Sequence, residues 1–285
     1  MSYIERVLPR EIFKVKTHDC FTGQITSESQ VYDVIDEERV NPATGPIFVE
    51  GAQPGDLLKA EILDIEVDSK GVALIIPHEG VLGDKVGKSH TRIFDIVDNH
   101  VVFGDISIPI RPMIGVIGVA PSHEEGEYFT GLPWKHGGNM DTNDICKGSI
   151  VYLPVEQEGA LLALGDCHGL MGDGEVGVTG LEVAGEVTLK VDIIKNKKIT
   201  WPLVETSDYT MVIASGETLD SALYNATDEA ARYLEKGLNI SWEDAYILSS
   251  LAVDFKISQA VNENKTVRAA IPRSLIRTDL LIDSF

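Results

Sequence analysis

Asp166, Cys167 and His168 end the apolar stretch LALGDCH. On a strand alternate side chains share a face, so Asp166 and His168 converge on one point while Cys167 turns to the core. A carboxylate and an imidazole suit Zn, Mn or Fe, and one more Asp or Glu would complete a site with an open position. Asp141 and Glu175 are the candidates for that ligand. The same residues also admit a plain reading, in which Asp166 caps a turn and His168 is a satisfied polar side chain.

Two glycine-rich corners flank this pair. In His136-Gly137-Gly138-Asn139-Met140-Asp141, the paired glycines let the backbone approach a ligand closely, so its N–H groups can polarise a carbonyl oxygen. The alternative is a tight turn in which Asn139 and Asp141 bond their own backbone. Gly172-Asp173-Gly174-Glu175 sets acids on a constrained turn before an apolar strand. A partly buried carboxylate there serves as a general base once its pKa rises toward neutrality. A surface turn or a Ca²⁺ loop has the same composition. His78 and Glu79 sit at a strand end and read as an exposed turn, and His90, His100 and His123 have no partner nearby in sequence.

The elements that must position these corners are mostly strands. LLKAEILDIEV (57–67) alternates near period two, as a half-buried antiparallel strand does. VALIIP, IFDIVDNHVVF and ISIPIRPMIGVIGVAP continue the pattern, with Asp98-Asn99 as a hairpin turn. In LEVAGEVTLKVDII the residues Val183, Val187, Leu189, Val191 and Ile193 form an inward stripe, broken at Gly185 by an expected bulge. After about residue 200 the character changes. TLDSALYNATDEAARYLEKGLN predicts an amphipathic helix with Leu219, Ala222, Leu223, Ala226, Ala230 and Leu234 on one face and Gly237 as its stop. SWEDAYILSSLAVDF predicts a second, capped by Ser241 with Asp244 in an acidic variant of the capping box. The expected architecture is mainly β with α+β elements. A β-sandwich or jelly-roll-like body over residues 1–200 carries the site, and an α+β portion over 201–285 packs on it.

At 285 residues and 44% hydrophobic, the chain can bury one large core or two ordinary ones. A formal charge of -21, from 45 acidic and 24 basic residues, repels phosphate backbones and anionic lipid, so neither nucleic acid nor membrane is expected as a partner. No apolar run approaches the ~20 residues of a membrane-spanning helix, and the N-terminus lacks a signal-peptide stretch. Cys20, Cys146 and Cys167 are odd in number and widely spaced, which fits reduced thiols in a cytoplasmic protein. No GxSxG elbow, P-loop, GxGxxG fingerprint or HExxH motif occurs, which lowers the standing of serine-hydrolase, NTPase and dinucleotide readings.

Four stretches in order carry a family resemblance: GPIFVEGAQPGDLLKAEILDIEV (45–67), RPMIGVIGVAPS (111–122), WKHGGNMDTNDICKGSIVYLPV (134–155) and LGDCHGLMGDGEVGVTGLEVAGEVTLKVDIIK (164–195). Through them the chain resembles the acetamidase/formamidase family, and its acetamidase-like branch more than the longer formamidases. The resemblance implies a homo-oligomeric amidohydrolase converting a short aliphatic amide to its carboxylate and ammonia. It points to His136, Gly138, Asn139, Asp141, Asp166, His168, Asp173 and Glu175 as the matching positions. The expected scheme has a divalent cation, Zn with Ca or Mn as alternatives, held by Asp141, Asp166 and His168. Glu175 is its general base, Asn139 and the Gly137–Gly138 backbone position the amide, and His136 is a further ligand or the proton donor. A non-catalytic binding module on the same scaffold, and a metal-free amidase using Glu175 and His136, remain the alternatives.

Overall fold

The computed structural model describes residues 3–30 and 32–284. Two eight-stranded sheets and a two-stranded ribbon make up its β part. The first sheet runs Glu5–Val7, Ala43–Val49, Leu162–His168, Glu182–Val183, Lys70–Ile75 and His90–Asp95, with Met113–Gly118 pairing Leu162–His168 and, on its other side, Gly137–Asn139. The second runs Asp254–Gln259, Lys265–Pro272, Tyr209–Gly216, Leu203–Glu205, Ile150–Pro154, Leu57–Val67, Gly185–Ile194 and Ile12–Thr17. Its strands from beyond residue 200 join those of the body directly, through Val151 opposite Val204.

Alternation explains the layering. In the second sheet Val151, Leu153, Val204, Met211 and Ile213 face the first sheet and share a core with Ile47, Ile114, Ile117 and Leu162. Their neighbours Tyr152, Leu203, Val212 and Ala214 face the other way, onto Ala222, Ala226, Ala230 and Leu234 of the helix Leu219–Leu238. A sheet covered on both faces reads as a continuous apolar run rather than an alternating one, hence TMVIASG. The expected β-sandwich body with smaller α+β elements is what the structure contains. No helix among the described residues is long and apolar enough to cross a membrane.

Three local expectations change or sharpen. Gly185 marks no bulge: Glu182–Val183 belongs to the first sheet and Gly185–Ile194 to the second, so the chain changes sheets there. A Cβ on Gly185 would lie 2.7 Å from the Glu66 carbonyl oxygen, so glycine allows the close crossing. The first helix stops at Asn239 in the left-handed conformation rather than at Gly237, and Leu223 is exposed. Asp98 and Asn99 both take positive φ (49° and 59°), the signature of a type I′ hairpin turn.

Candidate active site

The strand Met113–Gly118 is the floor of the site. On one side Gly137–Asn139 pairs with it and delivers Asp141 just beyond; on the other, Leu162–His168 delivers Asp166 and His168. Gly115 lies between, and a Cβ there would stand 2.5 Å from Asp141 Oδ1 and 2.8 Å from Asp166 Oδ2. The carboxylates therefore occupy the space a side chain would take. Glu182 sits directly opposite His168 on the next strand, and the turn after Gly172 brings in Glu175.

The result is a buried knot of charge. Asp141, Asp166, His168 and Glu182 are 1–2% exposed and Glu175 7%. Around His168 Nε2 stand Glu182 Oε2 at 3.2 Å, Asp166 Oδ2 at 3.7 Å, and Asp141 Oδ1 and Glu175 Oε1 at 3.9 Å. Asp141, Asp166 and Glu175 all hold positive φ (40°, 53° and 45°). Such backbone costs about 1–3 kcal/mol per residue and persists where surrounding structure enforces it, as at binding sites. The left-handed turn at Asp166, not simple alternation, sets the angle at which it meets His168.

The titration of the knot shows what it lacks. Burial first, then Asp166, raises Asp141 to about 6. Burial pushes Glu182 up to about 8, and burial with the Asp141 charge holds Glu175 well above its ordinary range. Burial alone would lower His168, but Glu182 and Asp166 hold it well above its usual value. Burial likewise works to raise Asp166, and bonding to His168 outweighs it, so this carboxyl lies low. Among the described residues, the ion pairs of these four acids run only to His168. One imidazolium cannot balance four carboxylates out of water.

That deficit is the test of fit for a cation. Asp141 Oδ1, Asp166 Oδ1 and Glu175 Oε2 are buried without a hydrogen-bond partner, and Glu182 Oε2 has the His168 imidazole at 3.2 Å. Ligands about 2.1 Å from a tetrahedral ion stand about 3.4 Å apart, close to the spacings around His168 Nε2. Asp141, Asp166 and His168 offer three donor atoms within 4.8 Å of one another, as do His168, Glu175 and Glu182, and Cys20, Asp166 and Glu182. The residues fit a divalent cation.

Of the residues singled out from sequence, Asp141, Asp166, His168 and Glu175 meet here. Asn139 lies beside them, 6% exposed with its Oδ1 unpartnered. His136 does not meet them. It sits opposite Val119, four residues along the floor strand from Gly115, about 13 Å away at strand rise. It stacks on Tyr128 at 4.8 Å and lines a cavity of 320 Å³ with Ser122, Glu125 and Glu156. Burial lowers it to about 4, so it is neutral at pH 7. The Gly137 N–H donates to the Trp134 carbonyl, and Cβ atoms on Gly137 and Gly138 would each come within 2.3 Å of a carbonyl oxygen. These glycines serve the packing of the loop. Asp173 stands at the margin, paired with Arg268 at 2.7 Å and accepting from Asn143 at 2.8 Å. His78 lies in a turn at positive φ, with its N–H bonded to the Gly83 carbonyl.

Sequence reasoning missed three participants. Glu182 hid in an apolar strand, although a lone acid opposite a site histidine is a detectable signal. Cys20 carries no signal in sequence beyond a lone thiol. Asn262, over a hundred residues after Asp141, donates to Asp141 Oδ2 at 2.7 Å and to the Asn139 carbonyl at 3.1 Å, which leaves Asp141 Oδ1 to the knot.

Comparison with known proteins places this geometry. The model of the Acetamidase/Formamidase family matches residues 1–127 and 128–277. An acetamidase from Bacillus halodurans of known crystal structure is 46% identical and superposes with a TM-score of 0.93, over 96% of this chain and 92% of that one. A formamidase of Methylophilus methylotrophus is 29% identical over 98% of this chain and 88% of its own. A putative formamidase of Schizosaccharomyces pombe is 28% identical over 69% of this chain, and the match spans only 62% of that protein's length.

Proposed function

The chain belongs to the Acetamidase/Formamidase family, and from that premise we propose that it hydrolyses the C–N bond of a short linear amide to the carboxylate and ammonia. The observation that carries the assignment of this chemistry to the knot is its set of four buried acids around one imidazole, with carboxylate oxygens left unpartnered. Asp141, Asp166 and His168 would hold a divalent cation, with zinc favoured by the mixed imidazole and carboxylate set and Ca²⁺ or Mn²⁺ as alternatives. Bound there, the cation supplies Lewis acidity, easing deprotonation of water and polarising the amide carbonyl.

The chain's own residues do the rest. Glu175 takes the proton of the attacking water at a carboxylate oxygen whose affinity for protons burial and the Asp141 charge raise. It returns that proton to the departing nitrogen, so water and amide become carboxylate and ammonium. Asn139 orients the amide from the strand that pairs with the floor. Asn262 fixes Asp141, leaving its Oδ1 for the cation. His136 is too far along the strand to serve as ligand and too weakly basic to serve as proton donor, so Glu175 carries both proton steps. The depth of the knot supports a small substrate. In the same reading the protein is a cytoplasmic homo-oligomer. Three free thiols support the compartment, and the exposed Trp242, Tyr246, Ile247 and Leu251 on one helix support self-association.

The test is ammonia release from formamide, acetamide and propionamide, before and after chelation and metal add-back, in wild type and Asp141→Asn. Release abolished by chelator, restored by one metal and lost together with metal binding in the variant is the expected result. Release indifferent to chelator would replace the cation by acid–base residues alone. Bound metal without release from any amide would make the chain a binding module.

A further inference from the structure

Gln259 is a fully buried polar side chain that the proposed chemistry does not touch. At 0% exposure it ends the strand Asp254–Gln259, where the ladder to Lys265–Pro272 slips its register between Ile257 and Gln259. Irregularities of this kind end strand pairing and re-aim side chains. The Gln259 carboxamide turns into the loop 260–264 that follows. Oε1 accepts from the Val261 N–H at 2.9 Å and the Asn262 N–H at 3.0 Å. Nε2 donates to the Asn264 carbonyl at 2.6 Å and to Thr266 Oγ1 at 3.0 Å. A carboxamide offers two lone pairs and two N–H groups, and here all four are used. Among the described residues no backbone–backbone bond joins two residues of that loop, so the amide takes the place of the turn bonds the loop lacks.

We propose that Gln259 is a positioning residue for amide hydrolysis, setting Asp141 against Glu175 through Asn262. This inference rests on the roles of those two acids in the proposed function. Asn262 Nδ2 donates to Asp141 Oδ2 at 2.7 Å, so freedom at Asn262 passes to Asp141. The neighbours of Gln259 hold the other acid. The Ser258 carbonyl accepts the Gly174 N–H and the Ala260 N–H donates to the Gly174 carbonyl, both at 2.9 Å, one residue before Glu175. Ser258 Oγ also accepts from Thr142 Oγ1 at 2.8 Å, one residue after Asp141. Three consecutive residues therefore hold the segments of both acids, and Gln259 alone among them reaches Asn262 with its side chain. The Lys265 ammonium donates to the Asn262 carbonyl and Asn264 Nδ2 to the Pro133 carbonyl, which leaves the Asn262 N–H to Gln259.

The residue type matches this task. Methionine would fill the same space and satisfy none of the four groups. Glutamate could still accept from both N–H groups but, when ionised, would set an oxygen against the Asn264 carbonyl.

Residues that orient a site group from outside carry about 10–100-fold in activity, and that fall in kcat is expected for Gln259→Met with KM nearly unchanged. A double-variant cycle with Asn262→Ala separates positioning from general loosening. If Gln259 acts through Asn262, the double variant should lose no more kcat than Asn262→Ala alone, whereas independent effects multiply. Gln259→Glu, which keeps the acceptors for Val261 and Asn262, should recover kcat relative to methionine, and it carries the same cycle if the methionine variant does not fold. Hydrogen exchange supplies a readout without turnover. The Val261 and Asn262 amides should lose protection in Gln259→Met while the strand Tyr209–Gly216 keeps its own. Multiplying losses, or unchanged protection at Val261 and Asn262, would overturn the role of Gln259. No ammonia from wild type, with protection lost in the variant, would overturn the reaction and leave Gln259 only as the holder of the loop.

Discussion

At the scale of single residues, the knot and His136 show burial acting in opposite directions. Burial pushes the acids up and the imidazole down, because each loses its charged form first out of water. For His136 no carboxylate in contact reverses this, and Glu125 opposes it only weakly, so it titrates near 4. Its ordinary value is 6.5, so between 6.5 and 4 the unfolded chain binds a proton that the folded chain does not. Stability contributed here is therefore complete above pH 6.5 and falls as pH drops toward 4, by ~3 kcal/mol at most. His136→Phe, which keeps the stacking on Tyr128, should flatten the stability curve across that window and leave kcat nearly unchanged. Urea unfolding at a series of pH values measures the slope. An unchanged slope, or a large loss of turnover at full stability, would return His136 to the catalytic machinery.

At the scale of elements, the site depends on a hairpin that its motif does not contain. Asp254–Gln259 and Lys265–Pro272 pair at the far edge of the second sheet, and the loop between them reaches the knot. Gly174, between Asp173 and Glu175, donates to the Ser258 carbonyl and accepts from Ala260, so the Glu175 turn is laced to that hairpin. Arg268, 2% exposed, pairs with Asp144 through Nε and with Asp173 through Nη2, both at 2.7 Å. It thereby ties the segments after Asp141 and before Glu175 together. Arg268→Leu leaves two acids facing an apolar side chain. With those acids 28% and 42% exposed, about 3 kcal/mol of stability should be lost, at the low end for a broken buried pair. Arg268→Lys keeps the charge without the two-pronged geometry, so it should recover stability better than turnover. Chemical unfolding alongside kcat for both variants checks this, and a lysine variant restoring both would reduce Arg268 to a charge. Legibility divides along the same line. Asp141, Asp166, His168 and Glu175 stood out because acids and a histidine interrupt apolar strands within one 35-residue stretch, 141–175. Glu182 was masked by its apolar neighbours, and Asn262 and Arg268 reach the site through sheet pairing across about a hundred residues, which local periodicity does not encode. The strand pattern was readable where one face is wet, as at Leu57–Val67. It was ambiguous where the chain changes sheets at Gly185, because apolar alternation continues across the crossing.

At the scale of the whole molecule, the knot joins parts drawn from separate stretches of the chain. Its residues come from the first sheet, from the turn after Gly172, from the segment around Cys20, and through Asn262 from the hairpin of the second sheet. Without a cation, four buried acids share one imidazole, and charge repulsion or the cost of protonating them opposes the closure of all these segments. A cation that binds only the folded chain stabilises it by RT ln(1 + [L]/Kd), about 4 kcal/mol at a thousandfold excess over Kd. For a chain of this size each kcal/mol moves the midpoint by roughly 2–4 °C, so chelation should lower Tm by on the order of 10 °C. Metal add-back should restore it in a saturable way. Asp141→Asn combined with Asp166→Asn supplies the control, since it removes both ligands and part of the repulsion. Its Tm should not respond to metal and should equal or exceed that of chelated wild type, as neutral amides cost less to bury than unpaired carboxylates. Thermal scans of both proteins with and without chelator decide the matter. A wild-type midpoint indifferent to chelator would mean that the acids are held by protonation instead. An equal shift in the double variant would place the metal's effect elsewhere in the fold.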